Sequence, residues 1–237
     1  MFKHGRPGIR TALGLLVVSI SALVNAAVPT GGANQDHVEL LTLLPVTAEE
    51  LMPLEARRGV YLVTEGVEKG IQVPFTFEQR GDQWILTQQG LARHELHRDH
   101  QGNLLIDRET DLRQDRQIEY VSPVILLPAT VDRETSLMGS ARVLVSNIRT
   151  RSVKYRGTCT WQLDFIGIGP LETPGGTFPA YHLRAKREIH LPLAQISMTI
   201  DFEYVRGTGM VATGVDQVVH ALGLFTDRER WRLERLP

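Results

Sequence analysis

The chain has 237 residues, with 26 Lys and Arg against 27 Asp and Glu, and a single cysteine. A balance this close to neutral offers no basic field to nucleic acid, and one thiol cannot close an internal disulfide. The length suits one large hydrophobic core.

Residues 1–26 read as a secretory signal peptide. Lys3, Arg6 and Arg10 give a positive start, an apolar run fills 12–24, and Val24-Asn25-Ala26 fits the small-x-small cleavage rule. The run falls short of the ~20 residues that a retained membrane span requires. The expectation is an exported, periplasmic protein that keeps no membrane span. Residues 27–36, "AVPTGGANQD", read as a flexible lead, which leaves 37–237 as a single β-rich domain.

Thr47 and Glu50 have capping-box spacing and predict a short helix over about 48–56, weakened by Pro53. The period then changes to two. In "GIQVPFTFEQ", Ile71, Val73, Phe75 and Phe77 share one side of a strand, and after the turn "QRGD" the segment "QWILTQQ" returns as its hairpin partner.

"RHELHRDHQGN" carries His94, His97 and His100, with Glu95 and Asp99 among them. On a helix three such histidines could gather a metal. On a strand His97 points away from the other two. "QGN" is a turn and "LLIDRETD" reads as a returning strand, so the stretch is predicted to be the solvated polar arm of a β-hairpin. His94-Glu95-Leu96-His97 is one residue short of the zincin spacing. A metal site built from His94, Glu95 or His97 with distant ligands is the minor alternative. The run "VSPVILLPATV", 121–131, is apolar and bracketed by prolines, and suits either a buried connector or a docking loop.

The clearest alternation comes later. In "VKYRGTCTWQLDFIG", Tyr155, Gly157, Cys159, Trp161, Leu163 and Phe165 share a face; in "QISMTIDFEYV", Ile196, Met198, Ile200, Phe202 and Tyr204 do the same. "RWRLERL" adds Trp231 and Leu233. One apolar and one wet face per strand is the pattern of antiparallel sheet. Strands of this length favour a curved sheet or an open half-barrel. Cys159 then sits on an apolar face as a small buried residue, and the acids Asp164, Asp201 and Glu203 alternate outward onto a solvated one. The sequence holds no G-x-S-x-G elbow, phosphate-cradling glycine loop or C-x-x-C.

"TPGGTFPAYHLRAKREI" followed by "DFEYVRGTGMVATGV" resembles exported bacterial proteins of the DUF3108-like kind, over about residues 154–223. The resemblance implies an open barrel like that of lipoprotein carriers. It makes Gly175, Gly176, Gly207 and Gly209 turn residues, and says little about activity. The reading taken forward is an exported, mainly β envelope protein, binding rather than catalysing and needing no cofactor. Its partner would be a lipid or an envelope-assembly protein, with Trp161, Phe165, Phe202, Tyr204 and Trp231 lining an apolar groove. A metal-dependent hydrolase using the His94–His100 region and a purely structural interaction module are the alternatives.

Overall fold

A computed structural model describes residues 43–237. The signal-peptide reading of 1–26 and the flexible lead at 27–36 lie outside the described residues. The chain begins with a two-residue strand β1 (Val46–Thr47) and a one-turn helix α1 (Ala48–Leu51). Strands β2 (Arg57–Glu65), β3 (Gln72–Arg80), β4 (Gln83–Gln88), β5 (Ala92–Arg98), β6 (Leu104–Asp111) and β7 (Arg116–Leu127) then run up and down. After the short β8 (Thr130–Val131) come β9 (Ser136–Asn147), β10 (Val153–Thr173), β11 (Gly176–Leu191), β12 (Ala194–Val205), β13 (Gly209–Ala221) and β14 (Phe225–Arg235).

Every strand except β1 and β8 belongs to one antiparallel barrel. The expected half-barrel is in fact closed. The last strand pairs with the first long one, Arg232↔Glu65 through Arg235↔Tyr61, and β7 pairs with β9. The physical reason is the edge. An open sheet leaves a row of backbone donors and acceptors without partners, and closure removes both edges.

The helix is present but ends early, at Leu51. Thr47 caps it by accepting from the Glu50 amide, and the Glu50 side chain reaches back to the Thr47 amide. Pro53 lies two residues beyond, and a residue before proline avoids helical geometry; Met52 accordingly leaves the helical region.

Twelve strands enclose a wider lumen than the eight whose side chains just fill a barrel. Here the lumen is filled by large side chains, among them Tyr61, Tyr181, Tyr204, Phe77 and Arg187, all almost wholly buried. Rings meet at Tyr61–Phe75, 4.6 Å between centroids, and at Phe77–Trp84, 5.0 Å. The run 121–131 is part of this body. It completes β7 and forms β8, with Val124, Leu127 and Val131 buried. Outward positions such as Arg142, Thr158, Lys186 and Glu188 are exposed and polar, where a membrane-spanning barrel carries an apolar band.

The two ends of the barrel differ. One is covered by residues 43–52. There the Ala48 amide donates to the Ala129 carbonyl (3.1 Å), the Gly207 amide to the Glu50 carbonyl (2.7 Å), and the Tyr181 hydroxyl to the Leu43 carbonyl (3.1 Å). The turns β5–β6, β12–β13 and the segment around β8 lie at this capped end. Gly207 and Gly209 take φ of +73° and +94°, where a side chain would be strained. The opposite end carries the turns β2–β3, β9–β10, β11–β12 and β13–β14.

Hairpin β10–β11 outgrows the barrel. β9 leaves β10 at Asp164↔Ser136 and β12 leaves β11 at Tyr181↔Tyr204, yet β10 and β11 stay paired to Thr173↔Gly176. A bulge between Phe165 and Gly167 bends this extension. It lies against the outer wall as a flap. Leu171, Phe178 and Ala180 pack on Val205, Val211 and Ala212, and Gly175 at the tip approaches the Arg235 carbonyl.

Gly157 shows how closely β10 and β11 approach: a Cβ there would stand 2.1 Å from the His190 carbonyl oxygen. Gly157→Ala is expected to cost about 1–3 kcal/mol by equilibrium denaturation, whereas Gly90→Ala, where a Cβ meets open space but φ is +74°, tests backbone strain alone.

Candidate functional site

A charged cluster lies in the lumen. His94 on β5 and Glu109 on β6 are directly opposite in register and both face inward. Arg187 on β11 reaches across and donates from Nη1 to Glu109 Oε1 at 2.7 Å. The Tyr120 hydroxyl, on β7, donates to Glu109 Oε2 at 3.0 Å, and His94 Nδ1 stands 4.0 Å from Oε1. The Arg187 guanidinium also lies over the Tyr120 ring, 6.0 Å from its centroid.

Burial opposes the charge on Arg187, but Glu109 and Tyr120 hold its pKa above the ordinary value. Burial, with Glu109 adding to it, raises the Tyr120 hydroxyl well above its usual range. Burial pushes His94 down, more than Glu109 lifts it. Cys159 is also buried, and its thiol is pushed up to about 11 by burial. Arg187, Glu109 and Tyr120 are tied together by hydrogen bonds across β11, β6 and β7, while Arg187 Nε is buried without a partner.

Where the structure puts the predicted residues follows from this. His94, expected to be solvated, is only 5% exposed, because its parity on β5 places it in the lumen. Glu95 lies on the outer face, clamped by Arg93 and by Arg108 Nη1 at 2.5 Å. His97 pairs with Asp107 (2.6 Å) near the capped end. The three point to three different places, and among the described residues no group of three or more His, Cys, Asp or Glu is set to hold a metal. Phe202 and Tyr204 are buried in the lumen beside a hollow of about 30 Å³ that Gln88, His94 and Thr213 also line. That volume suits a water or two, not an acyl chain. Trp231 is buried beside Val63, nearer the open end; Trp161 and Phe165 are half-buried against the core. The five aromatics are thus spread through the packing. Gly175 and Gly176 form the flap tip, and Gly207 and Gly209 flank the β12–β13 turn.

A larger concavity lies outside, between flap and wall. It measures about 520 Å³, within the range of small-ligand sites. Ile166, Pro170 and Leu171 of the flap form an apolar side, and the floor is the outer face of β11, β12 and β14. Arg232 Nη2 stands 2.9 Å from Glu203 Oε2 and its Nε donates to Glu234 at 2.5 Å. His182 Nδ1 is 3.7 Å from Glu203, and Arg184 Nε donates to Asp201 at 2.6 Å. Burial works against ionised Glu203, but hydrogen bonds from His182 and Arg232 hold its carboxyl below the usual range. The hydrogen bond to Asp201 raises Arg184.

Glu203 corrects the expectation of a solvated outer face: it is 7% exposed, because the flap lies over it. The alternation in "DFEYV" places Glu203 outside correctly but cannot tell what covers it. The signal that could have revealed the flap is "FIGIGP", where two glycines and a proline break an otherwise regular strand.

The fold and site define a closed twelve-strand antiparallel barrel with a flap-covered cleft on its wall. No family model matches the chain, and no curated protein does, so the DUF3108-like resemblance rests on its quoted residues alone. Among solved structures, the hypothetical lipoprotein YmcC from Escherichia coli K12 is similar at 13% identity, over 86% of this chain and 98% of that one, with a TM-score of 0.43. A provisionally assigned lipoprotein from Parabacteroides distasonis is similar at 12% identity, over 78% and 96%, with a TM-score of 0.42. A provisionally assigned exported protein with a YmcC-like fold from Bacteroides fragilis is similar at 11%, over 78% and 96%, with a TM-score of 0.38.

Glu109→Leu leaves Arg187 buried without its partner and is expected to cost about 3–5 kcal/mol in chemical denaturation, while Glu109→Leu with Arg187→Met recovers most of that loss. The depressed His94 pKa gives a second expectation. The folded state binds fewer protons at His94 than the unfolded state, so this contribution is full above the unfolded value of 6.5 and declines as pH falls below it. Comparing the pH dependence of stability for wild type and His94→Gln between about pH 5 and 7.5 should show a shallower acid-side fall in the variant.

Proposed function

We propose that the chain is an exported envelope protein that works by binding rather than by catalysis, and that its ligand is held in the outer cleft. The observation that carries this reading is the flap. A hairpin carried past its neighbours and folded back over the wall turns a flat barrel surface into a cleft of about 520 Å³. The filled lumen supports the same reading, since the hollow beside Phe202 and Tyr204 is far too small for a lipid.

The lining indicates the chemistry of the ligand. An apolar side opposite a floor of alternating carboxylates and guanidinium groups suits an amphipathic segment, such as an extended stretch of an envelope-assembly partner. Its polar groups can exchange with Arg184, Asp201 and Glu234 at little electrostatic cost. The floor charges are also tied in pairs, Glu203 held low and Arg184 held high. Both are shifted away from neutrality, where a general acid or base works best.

A photo-reactive residue placed at Ile166, which is exposed on the cleft side, is expected to capture one discrete species in the producing cells. The same residue at Gln79 on the far wall should not. Equal capture at both positions, or none at Ile166, overturns the reading. Arg184→Glu should reduce capture severalfold without unfolding the barrel, since Arg184 is over a third exposed.

A further inference from the structure

Of the eleven large apolar side chains exposed among the described residues, eight lie at the uncapped end of the barrel. They are not scattered there. The turns β9–β10, β11–β12, β13–β14 and β2–β3 follow one another around the rim. Each presents apolar tips: Val153 and Tyr155, then Leu193, then Leu224 and Phe225, then Val67. Val67 is 99% exposed and Leu224 84%. Neighbouring turns are joined, the Leu222 amide donating to the Leu193 carbonyl at 3.0 Å. A contiguous arc of this kind is unfavourable in water unless something covers it.

Leu222 sharpens the point. It takes φ of +52° beside Gly223 at +67°, in the three-residue turn between Ala221 and Phe225, a backbone geometry that asparagine or glycine adopts without strain. A leucine there adds backbone strain and exposed apolar surface together, and neither helps the barrel fold.

The charges on the same rim favour one kind of cover. The β9–β10 turn, "NIRTRSVKYR", holds Arg149, Arg151, Lys154 and Arg156 and no acid. Of the acids at this end, Glu68, Asp111 and Glu229 share Arg113, and Asp115 is held by Arg149. The cations are concentrated on the β9–β10 turn, where Arg151, Lys154 and Arg156 stand with no acid in the same segment. Apolar tips beside this cationic turn, with a tyrosine among them, match the layering of an anionic lipid surface, acyl region beneath acidic headgroups.

We propose that this rim docks the barrel, end-on, onto an anionic bilayer, with Leu224, Phe225 and Leu193 entering the headgroup boundary and Lys154 and Arg156 meeting acidic headgroups. The proposal is independent of the cleft, which lies on the side wall. It leaves the capped end facing away from the lipid.

The test places an environment-sensitive fluorophore on the full chain through Leu224→Cys, and separately through Glu134→Cys at the capped end. Cys159 is buried and will not compete for the label. With phosphatidylethanolamine vesicles containing about 30% phosphatidylglycerol, the label at 224 should shift to the blue and be quenched from the lipid phase. The label at 134 should not change. Replacing the anionic lipid with phosphatidylcholine, or the double reversal Lys154→Glu with Arg156→Glu, should weaken binding by roughly tenfold or more. An unshifted label at 224, including the case of vesicles held through residues 12–24 alone, overturns the proposal. So does a shift that needs no vesicles and grows with protein concentration, which would assign the rim to a second copy of the chain.

Discussion

The constraint on which this structure depends is the filling of its lumen. Closure satisfies the backbone of every strand edge, but it also encloses a space that water cannot occupy cheaply and that small side chains cannot fill. The chain meets it with tyrosines, phenylalanines and one arginine. Arg187 is the most demanding of these, since a buried guanidinium costs more than its volume contributes unless it is paired and hydrogen-bonded. Glu109 and Tyr120 supply that pairing from the opposite wall. The ion pair therefore acts as a crosslink across the barrel, and the strands that carry it are fixed in register by the same contacts.

The hollow beside Phe202 and Tyr204 in the lumen measures only about 30 Å³, and a larger concavity lies on the outer wall. The cleft forms where the β10–β11 hairpin outgrows its neighbours, bends at a bulge and lies back over β12–β14. Its own small apolar cluster, Leu171 and Phe178 on Val205 and Val211, secures it there. The cleft follows from this second layer of packing, and it shields Glu203 and Arg232 enough to make their pairing firm.

The ends complete the division of the surface. At one end residues 43–52 cover the barrel mouth, and the polar groups of α1 are spent on contacts with neighbouring turns. At the other, no covering segment is present among the described residues, and apolar tips and cations share the rim. Wall, cleft and rim are therefore three chemically distinct surfaces on one rigid body.

Much of this was legible in the sequence. Period-two alternation in 71–78, 155–165 and 196–204 determined extended strands, because side chains of a strand must alternate, and it placed their inner faces except at the rim, where Ile71 and Tyr155 are exposed. Thr47 and Glu50 marked the helix start, while its end at Leu51 falls short of the expected 56. The tertiary structure alone decided what each face meets. His94 points inward by its parity on β5, but that it meets Glu109 and, 78 residues from Glu109, Arg187 follows from β6 and β11 closing round it; Glu203 is buried on the outside because a hairpin folds over it; the sheet closes because β14 finds β2. Alternation is a local property of the backbone, whereas closure, covering and charge pairing arise between segments far apart in the chain, and no single segment encodes them.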